Sequence, residues 1–272
     1  MRTFILLLLT VFYAVGSFCQ KTAIPSGTID RMAGSGFERY RYPGLDFPDY
    51  PQLQLSDKSR TTELPAIHDN SGQPYLRPVF RQQGASCGQT ASVAYNFCYE
   101  INRLRGLSSD TSINQYPSHF VWNFMNGTLP YYGEGVSYYH TFDVLYDAGC
   151  PTEDYFGPIT MDDSYYWMDG YEGYFQAMHN RASGMNSIYA GTPEGLLILK
   201  HWLHNHLEGS LVGGVANYYA GMPYLPPALP AGTPEAGKHV EIAFEQYASH
   251  ALTIVGFNDS IRYDVNNDGL YT

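Results

Sequence analysis

The sequence is poor in charged residues, which make up 15% of its 272 residues, and it is poorest in basic ones. The sequence contains 15 Lys and Arg and 26 Asp and Glu, so its formal net charge is −11. The basic residues do not cluster in a stripe. Proteins that bind nucleic acid neutralise phosphates with clustered positive charge, so no nucleic-acid partner is expected. The sequence also has no internal repeat.

Long hydrophobic runs are missing beyond the N-terminus, so no membrane span is expected. The first twenty residues, MRTFILLLLTVFYAVGSFCQ, contain one Arg, an apolar run too short to cross a bilayer, and then small residues. This pattern predicts a secretory signal peptide over residues 1–19, cleaved near Cys19. The bulky Phe18 argues against a lipoprotein cleavage site. We therefore expect a secreted or cell-surface protein.

Cysteine is scarce as well, with four in the chain. Removal of Cys19 with the signal peptide leaves Cys87, Cys98 and Cys150. In an oxidising compartment an odd number leaves at least one thiol, or one bond between chains. A framework built only on disulfides is therefore disfavoured, and the pairing among the three is open.

The order of predicted elements indicates an α+β fold. Residues 20–63 are polar and rich in Gly and Pro, which is typical of a leader or pro-segment. Helices are predicted near residues 88–105, with Gly106 as the stop, and near 112–127, 137–148, 171–183 and 192–209. In the last of them Thr192 is the cap, and one face is lined by Leu196, Leu199, Leu203 and Leu207. Strands follow in SLVGGVANYY, HVEIAFEQ and HALTIVGFND. Helices first and strands later predict a helical lobe over about 81–209 and a strand-rich lobe over about 210–272.

The stretch RQQGASCGQTASVAYNF, residues 81–97, places Cys87 where a helix begins. The positive end of a helix dipole favours a thiolate there. Gly84 and Gly88 are expected to let the backbone approach a ligand closely. The side chains of Gln82 and Gln83 and the Cys87 N–H are candidate donors to an oxyanion. The alternative is that Cys87 is only a structural residue.

His250 is the candidate base. It opens the apolar strand in SHALTIVGF, where an imidazole stands out among core residues. The alternative is an ordinary strand-edge histidine held by hydrogen bonds.

These two segments resemble papain-like cysteine peptidases. LPAIHDNSGQPYLRPVFRQQGASCGQTASVAYNF is similar to the mature N-terminus of that family, and SHALTIVGFND is similar to the strand that carries its catalytic histidine. DAGCPTEDYF, between them, is also similar to a family segment. The resemblance covers about residues 64–263. It implies that residues 64–272 form a two-lobe domain with the active site in the cleft between the lobes. It further implies an extended polypeptide substrate, and it implies no cofactor for catalysis.

The resemblance admits two registers. In the pattern Ser-Cys-Gly-x-Cys-Trp-Ala-Phe, Cys87 matches a structural cysteine and Thr90 takes the place of the nucleophile, which implies an inactive relative. In papain-fold peptidases that cleave double-glycine leaders, the pattern Cys-Gly-[Pro/Gln]-[Thr/Ala]-[Ser/Ala] makes Cys87 the nucleophile. We favour the second register, because a threonine inside a chain has no amino terminus to serve as its base. The family's Asn-Ser-Trp-Gly motif is missing, and we expect the third catalytic residue to lie beyond Thr272.

The final residues, DVNNDGLYT, match the start of a D-x-[DN]-x-[DN]-G calcium loop. Asp264, Asn266 and Asp268 would supply side-chain ligands, and Leu270 would supply a backbone carbonyl. The alternative is a polar Asp-Gly turn between strands. Calcium is thus the one metal that the motifs suggest.

Three further histidines lie together in KHWLHNHLEG, at positions 201, 204 and 206. Their spacing does not give the His pair of a zincin helix, and no Glu follows the first of them. We expect them to be solvated residues on the helix face. The sequence as a whole therefore predicts a secreted cysteine peptidase, with a non-catalytic papain-fold module, stabilised by calcium, as the alternative.

Overall fold

The structure is a computed structural model that describes residues 50–57, 61–84, 86–126, 139–157, 168–205, 212–216, 227–240, 250–264 and 268–271. The predicted signal peptide, residues 20–49 of the predicted leader, and most of HVEIAFEQ lie outside these residues. Within them, helices and two small sheets confirm the α+β class. None of the described helices is long and apolar enough to cross a membrane.

The first helix, α1, begins at Cys87 as predicted and runs without a break to Arg105. Its middle part, Thr90–Phe97, is wound as a π-helix between the α-helical turns Cys87–Gln89 and Cys98–Arg105. Gly106 ends α1 in the left-handed conformation with φ of 67°, as its position predicted. The wide π segment was not predicted; such segments often occur at functional sites.

The described residues contain five shorter helices and four strands besides α1. The first strand, Ile67–Asp69, precedes the helices, whereas the predicted order placed the strands after them. The helices are α2 Ser118–Asn126, α3 Tyr139–Asp147, α4 Glu153–Phe156, α5 Glu172–Met178 and α6 Pro193–Asn205, and a 3₁₀ turn at Ser112–Asn114 precedes α2. The strands are β1 Ile67–Asp69, β2 Val212–Ala216, β3 His250–Ile254 and β4 Gly256–Asn258. The Thr192 hydroxyl accepts the N–H of Gly195 at 3.1 Å, which confirms the predicted cap of α6.

The strands form two antiparallel pairs, β2 with β3 and β1 with β4. A single residue, Val255, separates β3 from β4, so the chain passes directly from one pair to the other. Gly256 is needed at this crossing, because a Cβ there would lie 2.2 Å from the carbonyl oxygen of His68 on β1.

The described residues contain two main apolar centres. The larger joins α1, α2, α3 and α5 around side chains such as Phe97, Trp122 and Leu145. The second lies on the leucine stripe of α6, at Leu196, Leu199 and Leu203, and includes β4. The boundary predicted near residue 209 and the two-lobe arrangement stay predictions.

Residues 50–55 pack as part of this second centre. Leu53 and Leu55 are buried against α6. The Leu53 N–H donates to the Ser187 carbonyl at 2.8 Å, and the Ser187 N–H donates to the Pro51 carbonyl at 2.9 Å. Tyr50 donates its hydroxyl to Asp143 of α3 at 3.0 Å. The end of the predicted leader is thus attached to the fold at several points.

Candidate active site

Cys87 lies in the first turn of α1 and is 7% exposed. The turn before it is held by the buried Ser86, whose hydroxyl donates to the Gln83 carbonyl at 2.7 Å and whose own carbonyl accepts the N–H of Thr90. The helix continues from Cys87 to Arg105, so the positive end of its dipole lies at Cys87. The sequence analysis did not single out Ser86, which occupies the N-cap position but whose hydroxyl makes no capping bond to the helix.

Strand β3 packs across this start of α1. Ala251 shares a buried cluster with Cys87 and Ala91, and the Thr253 hydroxyl donates to the Ala91 carbonyl at 3.1 Å. His250 is the residue before Ala251, and its backbone pairs with Ala216 of β2. The side chain of His250 lies outside the described part of the chain. The fold therefore brings the backbone of the predicted base next to the turn that carries the predicted nucleophile.

Thr90, the alternative occupant of the nucleophile position, lies one turn further along α1. Its hydroxyl is 3.5 Å from the hydroxyl of Ser86, inside the same helix end. Cys87 shares a buried cluster with Ala251 of β3. The segment of α1 that begins at Thr90 also contacts β3, so both registers are compatible with the described contacts.

The two predicted oxyanion donors are half-buried on the loop before α1. The Gln82 amide donates to the Gly84 carbonyl at 3.4 Å, a long bond within its own turn. The Gln83 side chain makes no hydrogen bond to the described residues. Gly84 has φ of 57° with open space around it, so its glycine serves the left-handed backbone rather than a close approach.

A third glutamine, Gln89, is fully buried two residues after Cys87 and was not singled out by the sequence. Its side-chain amide donates to the Thr141 hydroxyl of α3 at 3.1 Å. This bond ties the first turn of α1 to a neighbouring helix. The sequence gave little indication that Gln89 is buried, since glutamines are mostly exposed to solvent.

The other two cysteines lie deep in the helical core. Cys87, Cys98 and Cys150 are all reduced thiols in the described part of the chain. Burial raises the pKa of Cys98 to about 11. Burial also raises the pKa of Cys150 well above its usual range. Burial therefore disfavours the thiolate at both positions, which leaves Cys87 as the candidate nucleophile among the three.

The predicted calcium loop is a polar turn in its described residues. The Asp264 carboxylate accepts the N–H groups of Asp268 at 3.1 Å and of Gly269 at 2.8 Å. The Asp268 carboxylate accepts the Leu270 N–H at 2.8 Å. Asn266 lies outside the described residues, and within them no group of three or more His, Cys, Asp or Glu could hold a metal. Calcium therefore stays a prediction.

The expectation of solvated histidines on the last long helix was wrong for two of the three. His201 is 1% exposed, and burial lowers its pKa. His204 is half-buried, 3.2 Å from His68 of β1 between their Nδ1 atoms. The helix packs on one side through its leucines and on another against β1, which the periodicity of α6 alone does not reveal. His206 lies outside the described residues.

No protein-family model and no curated protein matches this sequence. A solved structure similar to the chain is that of xylellain, a cysteine protease from Xylella fastidiosa. The superposition has a TM-score of 0.46 with 14% sequence identity, and it covers 80% of this chain and 79% of the other. A superposition this loose does not establish a common fold.

Proposed function

We propose that this protein is a secreted cysteine peptidase in which Cys87 is the nucleophile and His250 is the base. The observation that carries the proposal is the packing of Ala251, the residue after His250, on Cys87 and Ala91 at the start of α1. This contact supports the pairing, because the backbone of His250 lies next to the turn of Cys87 although the two residues are far apart in sequence. A helix end that favours the thiolate supports the same assignment.

The reaction follows from these roles. His250 takes the thiol proton, and the Cys87 thiolate attacks the carbonyl carbon of a bound peptide. The Cys87 N–H and the amide of Gln82 or Gln83 donate to the oxyanion. The imidazolium of His250 returns its proton to the leaving amine, and water then releases the acyl group from sulfur. The Gln82 amide has two N–H donors, and its long bond to the Gly84 carbonyl uses one of them.

The experiment compares the secreted chain with its Cys87→Ala and Thr90→Val variants on a fluorescent casein substrate. Loss of a nucleophile costs on the order of 10³-fold or more in rate. We expect Cys87→Ala to abolish hydrolysis and Thr90→Val to retain it. Hydrolysis that survives in Cys87→Ala would overturn the proposal.

A second candidate is a non-catalytic module of the same fold. The observation that favours it is the burial of Cys87, which leaves 7% of the residue exposed, together with the engaged amide of Gln82. A purified full-length chain that hydrolyses no peptide, and whose Cys87 resists alkylation, would support this candidate instead.

A further inference from the structure

His68 of β1 and His204 in the last turn of α6 face each other through the same ring atom. Their Nδ1 atoms are 3.2 Å apart. The rings meet at 82°, with 4.8 Å between their centroids. Both side chains are half-buried. Neither belongs to the proposed Cys87–His250 pair, so the contact requires its own explanation.

Asn70 determines which His68 nitrogen carries a hydrogen. The fully buried Asn70 donates its amide N–H to the Leu203 carbonyl at 2.9 Å, which directs its amide oxygen to the other side. That oxygen lies 3.0 Å from Nε2 of His68. An oxygen acceptor requires N–H at Nε2, so in neutral His68 the Nδ1 atom presents a lone pair toward His204.

This arrangement has the features of a pair of metal ligands. Histidine nitrogens bind Zn²⁺ at about 2.0–2.1 Å, so two of them at a tetrahedral angle lie about 3.3 Å apart. Metal-ligating histidines also commonly donate their outer N–H to an oxygen, as His68 does to Asn70. The backbone around His68 is fixed, since β1 pairs with β4 and the Asn70 N–H donates to the Val255 carbonyl at 2.9 Å.

We propose that His68 and His204 form a binding site for one divalent transition-metal ion, Zn²⁺ or Ni²⁺, through their Nδ1 atoms. Imidazole nitrogens suit these ions. The described residues add no third His, Cys, Asp or Glu to this pair. The ion links β1 to the end of α6. The alternative is a hydrogen bond from His204 Nδ1–H to His68 Nδ1 without a metal.

The test uses the full chain carrying Cys87→Ala, which removes a competing thiol and separates the result from any peptidase activity. ZnCl₂ and NiCl₂ are titrated by calorimetry near neutral pH. We expect one ion per chain, and binding at least tenfold weaker in His68→Ala and in His204→Ala. His179→Ala is the matched control, because His179 is exposed and its ring contacts Phe175 instead.

Two results would overturn the proposal: no saturable binding by the parent chain, or unchanged binding in both variants. Circular dichroism and urea unfolding check that each variant folds. If a variant does not fold, Cu²⁺ bound to the parent provides a separate readout by electron paramagnetic resonance. Coupling to two nitrogens at one ion per chain is expected, and coupling to none or one excludes the paired site.

Discussion

Ala251 packs on Cys87, and this contact joins the β3 strand to the first turn of α1. The two residues lie in parts of the sequence with no local relationship. At position 251 the contact is made by a single methyl group, which is buried against Cys87 and Ala91. The spacing between the proposed nucleophile and the strand of the proposed base therefore depends on a small side chain at position 251.

We expect Ala251→Leu to disturb this spacing. Added methylenes in a packed site cost about 1–3 kcal/mol of stability, and a misplacement of about 1 Å near reacting groups can cost 10²-fold in rate. Casein hydrolysis and urea unfolding measure the two effects. Leu252→Ala is the control for stability, because Leu252 is 50% exposed. Full activity in Ala251→Leu would show that the cluster does not position Cys87.

Residues 50–55 should contribute to stability as part of the fold. Leu53 is buried against the leucines of α6, so Leu53→Ala should lower the free energy of unfolding by about 2–5 kcal/mol. The neighbouring Gln54 is exposed, and Gln54→Ala should change it by less than about 0.5 kcal/mol. Urea unfolding of the two variants makes the comparison. Equal stability would mean that Leu53 contributes no packing energy.

Stability should fall at alkaline pH because of Cys98. Its pKa is raised by burial from 9.0 to about 11, so between these values the unfolded chain has lost the thiol proton while the folded chain keeps it. The contribution of Cys98 is thus complete below pH 9 and is lost as the pH rises toward 11, with a slope of up to about 1.4 kcal/mol per pH unit.

Urea unfolding at pH 8.5 and at pH 10.5 measures this loss. The Cys98→Ala variant is the control, since it removes the group while Cys150 and Tyr116, whose pKa values burial also raises, remain. We expect a smaller decrease in Cys98→Ala than in the parent. An equal decrease in both would assign the pH dependence to other groups.

Features that depend on residue spacing within a single helix were predicted from the sequence. The Thr192 cap, the Gly106 stop and the buried stripe of α6 all follow from spacing within one helix. The π-helical middle of α1 could not be predicted. Its turns are wider than those of an α-helix, but in a run of small residues this difference produces no distinct hydrophobic periodicity.

Long-range contacts account for what the sequence did not reveal. The bond of Leu53 to Ser187 and the approach of His204 to His68 each join segments more than 130 residues apart. Neither sequence pattern predicts which distant segment it will contact. The candidate pair of Cys87 and His250 was accessible from sequence because each residue lies in a recognisable local motif.

The rate at which iodoacetamide alkylates Cys87 near pH 5.5 tests the central claim most directly. It is followed by mass spectrometry in the parent and in His250→Ala. A thiolate held by an imidazolium reacts at this pH, whereas an ordinary thiol does not. The account predicts rapid, selective labelling of Cys87 in the parent and at least tenfold slower labelling in His250→Ala. Equal labelling in the two proteins, or none at Cys87, would contradict it.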